Sequence, residues 1–340
     1  MLCLVIGIMY LGKDFLVPLI WGFFIFLSSL SFLEKVQSLT KIRWGLLVSI
    51  HLLGLFAFIT GILVFFVYEI QAIIREVPSI NDKITNFRNM LLQVPENFGI
   101  HTEEYMNEGA LQKGVQSAAQ YLLLFVSNVG ETFANLILIF LYAFLFLFYR
   151  NLIPRFFELR IKDKSKVEEA NKMVNQVTVI ASDYLSGTMI MTAIMGVMLF
   201  LVFLIMGLNY ALFFALFVAV LNLIPYLGNL IALVVVVAFA LLTKEGWYHA
   251  AGVVVAITVV NALQENLLRP LIVGERLHLN ALIVFVSVVL GGFIWGLSGM
   301  ILFIPMMGIL KIIFEHNPVT RPHALFFGEP GQVLEEKTVS

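Results

Sequence analysis

The sequence predicts an all-α, polytopic membrane protein. It has about eight transmembrane helices, broken or hairpin helices in its C-terminal half, and a helical extramembrane insertion. Three observations predict this. First, 60% of the 340 residues are hydrophobic and 13% are charged, against roughly 45–50% and 25% in soluble domains. Mean hydropathy is +0.96, so water is the wrong solvent for most of the chain. Second, long apolar runs recur at 1–12, 15–33, 44–68, 132–149, 188–207, 210–224, 229–243, 247–264, 281–297 and 299–314. About 20 apolar residues cross the hydrocarbon as a helix. Third, basic and acidic residues alternate between the connections.

Composition also excludes function classes. The single cysteine, Cys3, rules out an intrachain disulfide and a cysteine-rich zinc site. A net charge of −1 gives no drive toward nucleic acid. No cofactor motif is present. The first apolar run is short for a span. It follows no basic stretch and precedes no small-residue cleavage site, which argues against a signal peptide.

Orientation follows from charge. Residues 34–43 carry Lys35, Lys41 and Arg43 against Glu34, and 150–172 carry seven basic against four acidic residues, or +3. Residues 69–131 carry four basic against eight acidic residues, or −4. The positive-inside bias places 34–43 and 150–187 in the cytoplasm, 69–131 outside, and both termini inside.

Six regions result. Residues 1–68 form the N-terminal spans, and 69–131 an extracytoplasmic insertion with helical periodicity at Ile70, Ile73, Ile74 and Val77. Residues 132–149 form one span. Residues 150–187 form a cytoplasmic linker whose apolar positions from Val167 to Ala181 predict an amphipathic helix at the membrane surface. Residues 188–315 form a C-terminal bundle with broken helices. The tail, 316–340, is rich in proline and glycine and reads as disordered.

The C-terminal bundle is the most informative region. Its Asp, Glu, Lys and Arg residues are Lys244, Glu245, Glu265, Arg269, Glu275, Arg276, Lys311 and, at its edge, Glu315. Two apolar blocks are interrupted at their centres. Block 210–243 is broken by Asn222-Leu223-Ile224-Pro225-Tyr226-Leu227-Gly228-Asn229, and block 281–314 by Gly291, Gly292, Gly296 and Gly299, with Pro305 following. Proline removes a backbone donor and glycine permits turns and close approach. Freed backbone groups in lipid must be satisfied by protein or water. The breaks therefore read either as the walls of a solute path or as tight turns of helical hairpins. Asn209 and Asn280 each precede a block with Ala-Leu nearby, which fits an inverted repeat.

Three strings carry a family resemblance: Tyr184-Leu185-Ser186-Gly187, Ile224-Pro225-Tyr226-Leu227-Gly228, and Glu265-Asn266 followed by Arg269-Pro270 and Gly274. The glycines at 291–299 and Ile304-Pro305 follow in order. At these motifs the chain resembles the autoinducer-2 exporter family of bacterial membrane transporters. Asn229 stands where that family often has proline, and the proline it favours near Asn280 is missing. The resemblance implies a homo-oligomeric permease of the inner membrane, some members linked to export of the signal and others to sodium–proton exchange.

The candidate working residues divide by chemistry. Glu265, with Arg269 one helical turn on, reads either as a structural ion pair or as a cation or proton site. Asp183 reads as a helix cap or as the second member of a proton relay. Asn222, Tyr226, Asn229, Asn261 and Asn266 can hydrogen-bond a polyol or tie helices together. Pro225, Gly228, Pro270, Gly291, Gly292, Gly296 and Gly299 shape the path. His51 and His249 are isolated, so no metal site is expected. Gly296-Leu297-Ser298-Gly299 matches an intramembrane protease string, but the later histidines, His316 and His323, lie beyond the membrane edge. With no Walker loop, transport would run without ATP. The favoured function is an exporter of a small polar solute such as autoinducer-2. A sodium (or lithium)–proton antiporter is the second reading, and an oligomeric membrane scaffold the third. No enzymatic activity is expected. The partners expected are the lipid bilayer, the solute or sodium and protons, and further copies of the chain.

Overall fold

A computed structural model describes residues 2–92, 117, 120, 123–124, 126–160, 164–244, 247–272, 279–316 and 319–328. Among these there is no β-strand. The helices are α1 (Leu2–Leu11), α2 (Lys13–Thr40), α3 (Trp44–Leu92), α4 (Val129–Phe148), α5 (Leu152–Arg160), α6 (Lys164–Ile205), α7 (Ala211–Leu221) and α8 (Leu227–Thr243). Then follow α9 (Trp247–Leu263), a π-helical turn (Gln264–Leu268), α10 (Arg269–Ile272), α11 (Ala281–His316) and α12 (Arg321–Ala324). Among the described residues six stretches are long and apolar enough to cross a bilayer, and α7 and α8 are shorter apolar helices. This is the polytopic all-α architecture the composition demands. At 10 residues, α1 rises only about 15 Å, half the hydrocarbon thickness.

Two packed bodies make the core. In the first, α2 and α4 run parallel: Phe15 meets Tyr142 and Phe23 meets Phe146 edge-on. A side chain at Gly22 would strike Tyr142 Cβ at 2.6 Å and Ile139 O at 2.8 Å. Only glycine lets the helices approach this closely, and close backbone packing substitutes for the hydrophobic drive that lipid removes. Antiparallel to α4 runs α3, with Phe56 against Phe140 and the Trp44 indole donating to Leu147 O at 3.0 Å. In the second body, α6 through α9 bury Met195, Leu199, Phe203, Phe214, Val236 and Val253.

The structure differs from what the sequence predicts in three places. α3 does not end near residue 68 but continues as one helix of 49 residues, about 74 Å, into the expected insertion; residues 93–116 lie outside the described residues. α6 joins the expected surface helix and the span from residue 188 into a single 42-residue helix, because no proline or glycine pair interrupts it. Asp183 consequently sits in its interior, which rules out the capping role. The tail from residue 316 is not wholly disordered. Asn280 Nδ2 donates to Phe326 O at 2.8 Å and Gly328 O at 3.1 Å, and Phe314 packs against His323 and Phe327. These bonds hold 319–328 against the start of α11; residues 329–340 lie outside the described residues.

Candidate functional site

Both interrupted blocks turn back on themselves. In the first, α7 and α8 form a hairpin closed by residues 222–226. Leu227 N–H donates to Pro225 O at 2.7 Å, and Tyr226 has φ 65° and ψ −58°. This is a positive-φ γ-turn, a strained conformation. A tyrosine held there is an outlier, since such φ favours glycine. Next to the turn, the missing side chain of Gly228 lets α8 lie directly on Leu221 O.

The second block is one run of helix by hydrogen bonding, 281–316, but Gly296 inside it has φ 60° and ψ −139°. Residues eight apart in a straight helix stand about 12 Å apart. Here the Gly291 and Gly299 backbones abut, and a Gly292 side chain would meet Met300 Cε at 2.6 Å. Trp295 packs edge-on to Phe303, and Val288 and Ile304 share one cluster. These pairs sit about Gly296, so α11 is a second helical hairpin. Gly291 and Gly299 permit its seam and Gly296 its reversal. Both expected breaks are thus real turns. The two hairpins touch: Ile224, from the first turn, is buried with Val288 and Ile304, and Tyr184 of α6 joins them.

Polar side chains collect beside the first hairpin. Asn222 Nδ2 donates to Gln264 Oε1 at 3.0 Å, and Asn261 Nδ2 donates to Asn229 Oδ1 at 2.6 Å. These two bonds tie the turn to α9 and the π turn. Arg269 donates through Nε and Nη2 to both oxygens of Glu265 at 2.6 and 2.7 Å. The pair is half exposed, at 45% and 52%. The Arg269 guanidinium also lies within electrostatic range of the Tyr184 and Tyr226 phenols. Asn266 instead donates to its own helix, at Ala262 O.

The π turn has a local cause. Pro270 has no N–H for the carbonyl four residues back, and its ring crowds that carbonyl. The helix widens ahead of it, with Arg269 N–H donating to Gln264 O, five residues back. Pro270 thereby stays within helix rather than ending it.

The structure brings together Asn222, Pro225, Tyr226, Gly228, Asn229, Asn261, Glu265, Arg269 and Pro270 around the first hairpin. Gly291, Gly292, Gly296 and Gly299 build the second. Its tip is tied elsewhere: Trp295 Nε1 donates to Met9 O at 2.9 Å and Trp21 Nε1 to Ser298 Oγ at 3.2 Å. Ser298 therefore carries a tryptophan contact, while His316 bonds Ile312 O. Gln264, legible in the sequence beside Glu265 and Asn266 but assigned no role there, is 3% exposed and joins the site through Asn222. Its signal was available, as an amide next to Glu265 in an apolar helix. Lys311, among the ionisable residues of the bundle, is 7% exposed and stands 3.7 Å from Glu315, one turn on. An apolar cleft of about 330 Å³ between α3 and α4, lined by Leu52, Phe56, Phe140 and Phe144, offers little to a polar solute.

Several known proteins are similar to this chain in sequence. The YueF protein of Bacillus subtilis (strain 168), whose name is that of a candidate transport protein, is 25% identical over 320 residues, 90% of this chain and 85% of YueF. A Haemophilus influenzae protein of similar naming is 29% identical over 163 residues, about half of each chain at 48% and 47%. The AI-2 transport protein TqsA of Escherichia coli (strain K12) is 35% identical over 97 residues, 28% of each chain. The family described as AI-2E family transporters matches residues 1–318. This multi-pass membrane protein therefore belongs to the AI-2E transporter family.

Proposed function

We propose that the protein is a permease of the bacterial inner membrane that exports a small polar solute without ATP, and that the solute resembles autoinducer-2. The observation that carries this reading is the pair of touching helical hairpins with Asn222, Asn229, Asn261 and Gln264 joined at the first turn. Amides in apolar surroundings can exchange their mutual hydrogen bonds for those of a polyol at little cost, since such interhelical bonds average about 0.6 kcal/mol. Discontinuous helices are where carriers place substrate. The name of TqsA supports the choice of solute. Proteoliposomes loaded with autoinducer-2 should release it faster than protein-free vesicles, and the Asn229→Leu variant should slow the release. Equal release from both vesicle types would sink the proposal.

A second reading, sodium–proton exchange, is favoured by the half-exposed Glu265–Arg269 pair within a membrane-spanning stretch. Glu265 with Asp183 would carry the ions. Glu265→Gln and Asp183→Asn should then each abolish sodium-driven pH change in vesicles, and unchanged exchange in both removes these residues from the mechanism. The proposal includes cytoplasmic termini and a homo-oligomer. The most apolar window of α3 is 6% buried within the chain, against 39% for α2, which supports a further copy covering it.

A further inference from the structure

We propose that the basic face of the molecule holds anionic phospholipid at a site built from α5 and the α2–α3 turn. At 20 residues, α4 rises about 30 Å, the hydrocarbon thickness. Its C-terminal end at Phe148 therefore lies at a membrane boundary. Only Tyr149, Arg150 and Asn151 separate it from α5, so α5 starts at headgroup level. The α2–α3 turn lies at the same level, because α2 runs parallel to α4 and Arg150 joins the two regions. Its guanidinium carbon stands 3.4 Å from the centre of the Trp44 ring, and Nη1 is 3.3 Å from Glu34 Oε1. That ion pair lacks hydrogen-bond geometry, and Nη1 has no acceptor among the described residues.

The surface around this cluster has two chemistries. Along α5, Leu152, Phe156 and Leu159 fall at i, i+4 and i+7 and are 59%, 60% and 80% exposed. That spacing forms one apolar stripe. The α2–α3 turn adds Lys35, Lys41 and Arg43 at the same level, and Arg150, Arg155 and Arg160 lie along the chain with the stripe, with Glu34 as the acid paired to Arg150. An apolar stripe that begins at a bilayer boundary, edged by cations, matches acyl chains below and phosphate above. A neutral zwitterionic headgroup would leave the surplus of cations unmatched. Trp44 and Tyr149 complete an interfacial ring of the kind that settles at headgroup depth.

Native mass spectrometry of the full chain in detergent, titrated with phosphatidylglycerol or phosphatidylcholine, tests this independently of any transport assay. Each basic residue near an anionic surface is worth about fivefold in partitioning. The protein should retain phosphatidylglycerol over phosphatidylcholine by roughly tenfold or more. The variant Lys41→Gln/Arg43→Gln/Arg155→Gln, changed only at exposed positions, should lose most of that preference. Should it fail to fold, the unaltered protein in 0.5 M salt (roughly a 4 Å Debye length) reads the same attraction, which should collapse. Equal retention of the two lipids overturns the proposal. So does a preference that survives the triple substitution or the salt. A Phe156→Ser/Leu159→Ser variant that changes oligomer mass but keeps its lipid preference would also overturn it, by making the stripe a contact between copies.

Discussion

The two hairpins reverse the chain by opposite means. The first, α7–α8, spends five residues on its turn, strains Tyr226, and meets its neighbours through amide pairs. The second, within α11, turns on Gly296 alone and closes on a bare backbone seam between Gly291 and Gly299. The first tip is polar and is anchored by pairs of neutral amides. The second has a seam of bare glycine backbone, and its tip is pinned by two indole N–H groups from or toward the N-terminal helices. Hydrogen bonds between amides can be traded for a solute, whereas a glycine seam has nothing to trade. The difference assigns recognition to the first hairpin and scaffolding to the second within the proposed transport function.

Substitutions can break this contrast. The largest effect is expected at the seam. Gly299→Val forces a branched side chain into the Gly291 backbone, and should cost roughly 3 kcal/mol or more, read as a lowered thermal unfolding midpoint in detergent. An unchanged midpoint would mean the two arms do not abut. Gly296→Ala should cost about 1–3 kcal/mol through backbone strain alone, because open space surrounds its side-chain position. Tyr226→Gly should move stability the other way, by about 1 kcal/mol upward, since glycine accepts the γ-turn that tyrosine resists. If both glycine-linked changes lower the midpoint, the proposed asymmetry of strain fails. The smallest effect belongs to the amide pair. A double-mutant cycle on Asn229→Leu and Asn261→Leu should return about 0.6 kcal/mol of coupling, which chemical denaturation can resolve at the margin. A coupling near zero would detach Asn229 from α9.

Much of the site was legible from residue type. Proline, glycine and asparagine inside apolar blocks mark turns because helix in lipid tolerates few other interruptions. Glu265 and Arg269 declared their pairing by spacing, and the structure makes it bidentate. Partners far apart in sequence were not legible. Nothing local says that Asn222 meets Gln264, 42 residues away, or that Trp295 reaches Met9, 286 residues away. Asp183 was misplaced for a related reason. A drop in hydropathy reads as a helix boundary, yet α6 passes through it unbroken because backbone hydrogen bonds do not require apolar side chains.

By itself, the sequence determined the solvent, the all-helical class and the positions of both reversals. These depend on apolar content and on residues that cannot continue a helix, which are local properties. Only the tertiary structure decided that 281–316 is a folded-back pair, which polar groups meet, and that α3 runs on beyond the bilayer length. Those outcomes depend on which surfaces find each other in three dimensions, and a one-dimensional pattern of hydropathy carries no record of that choice.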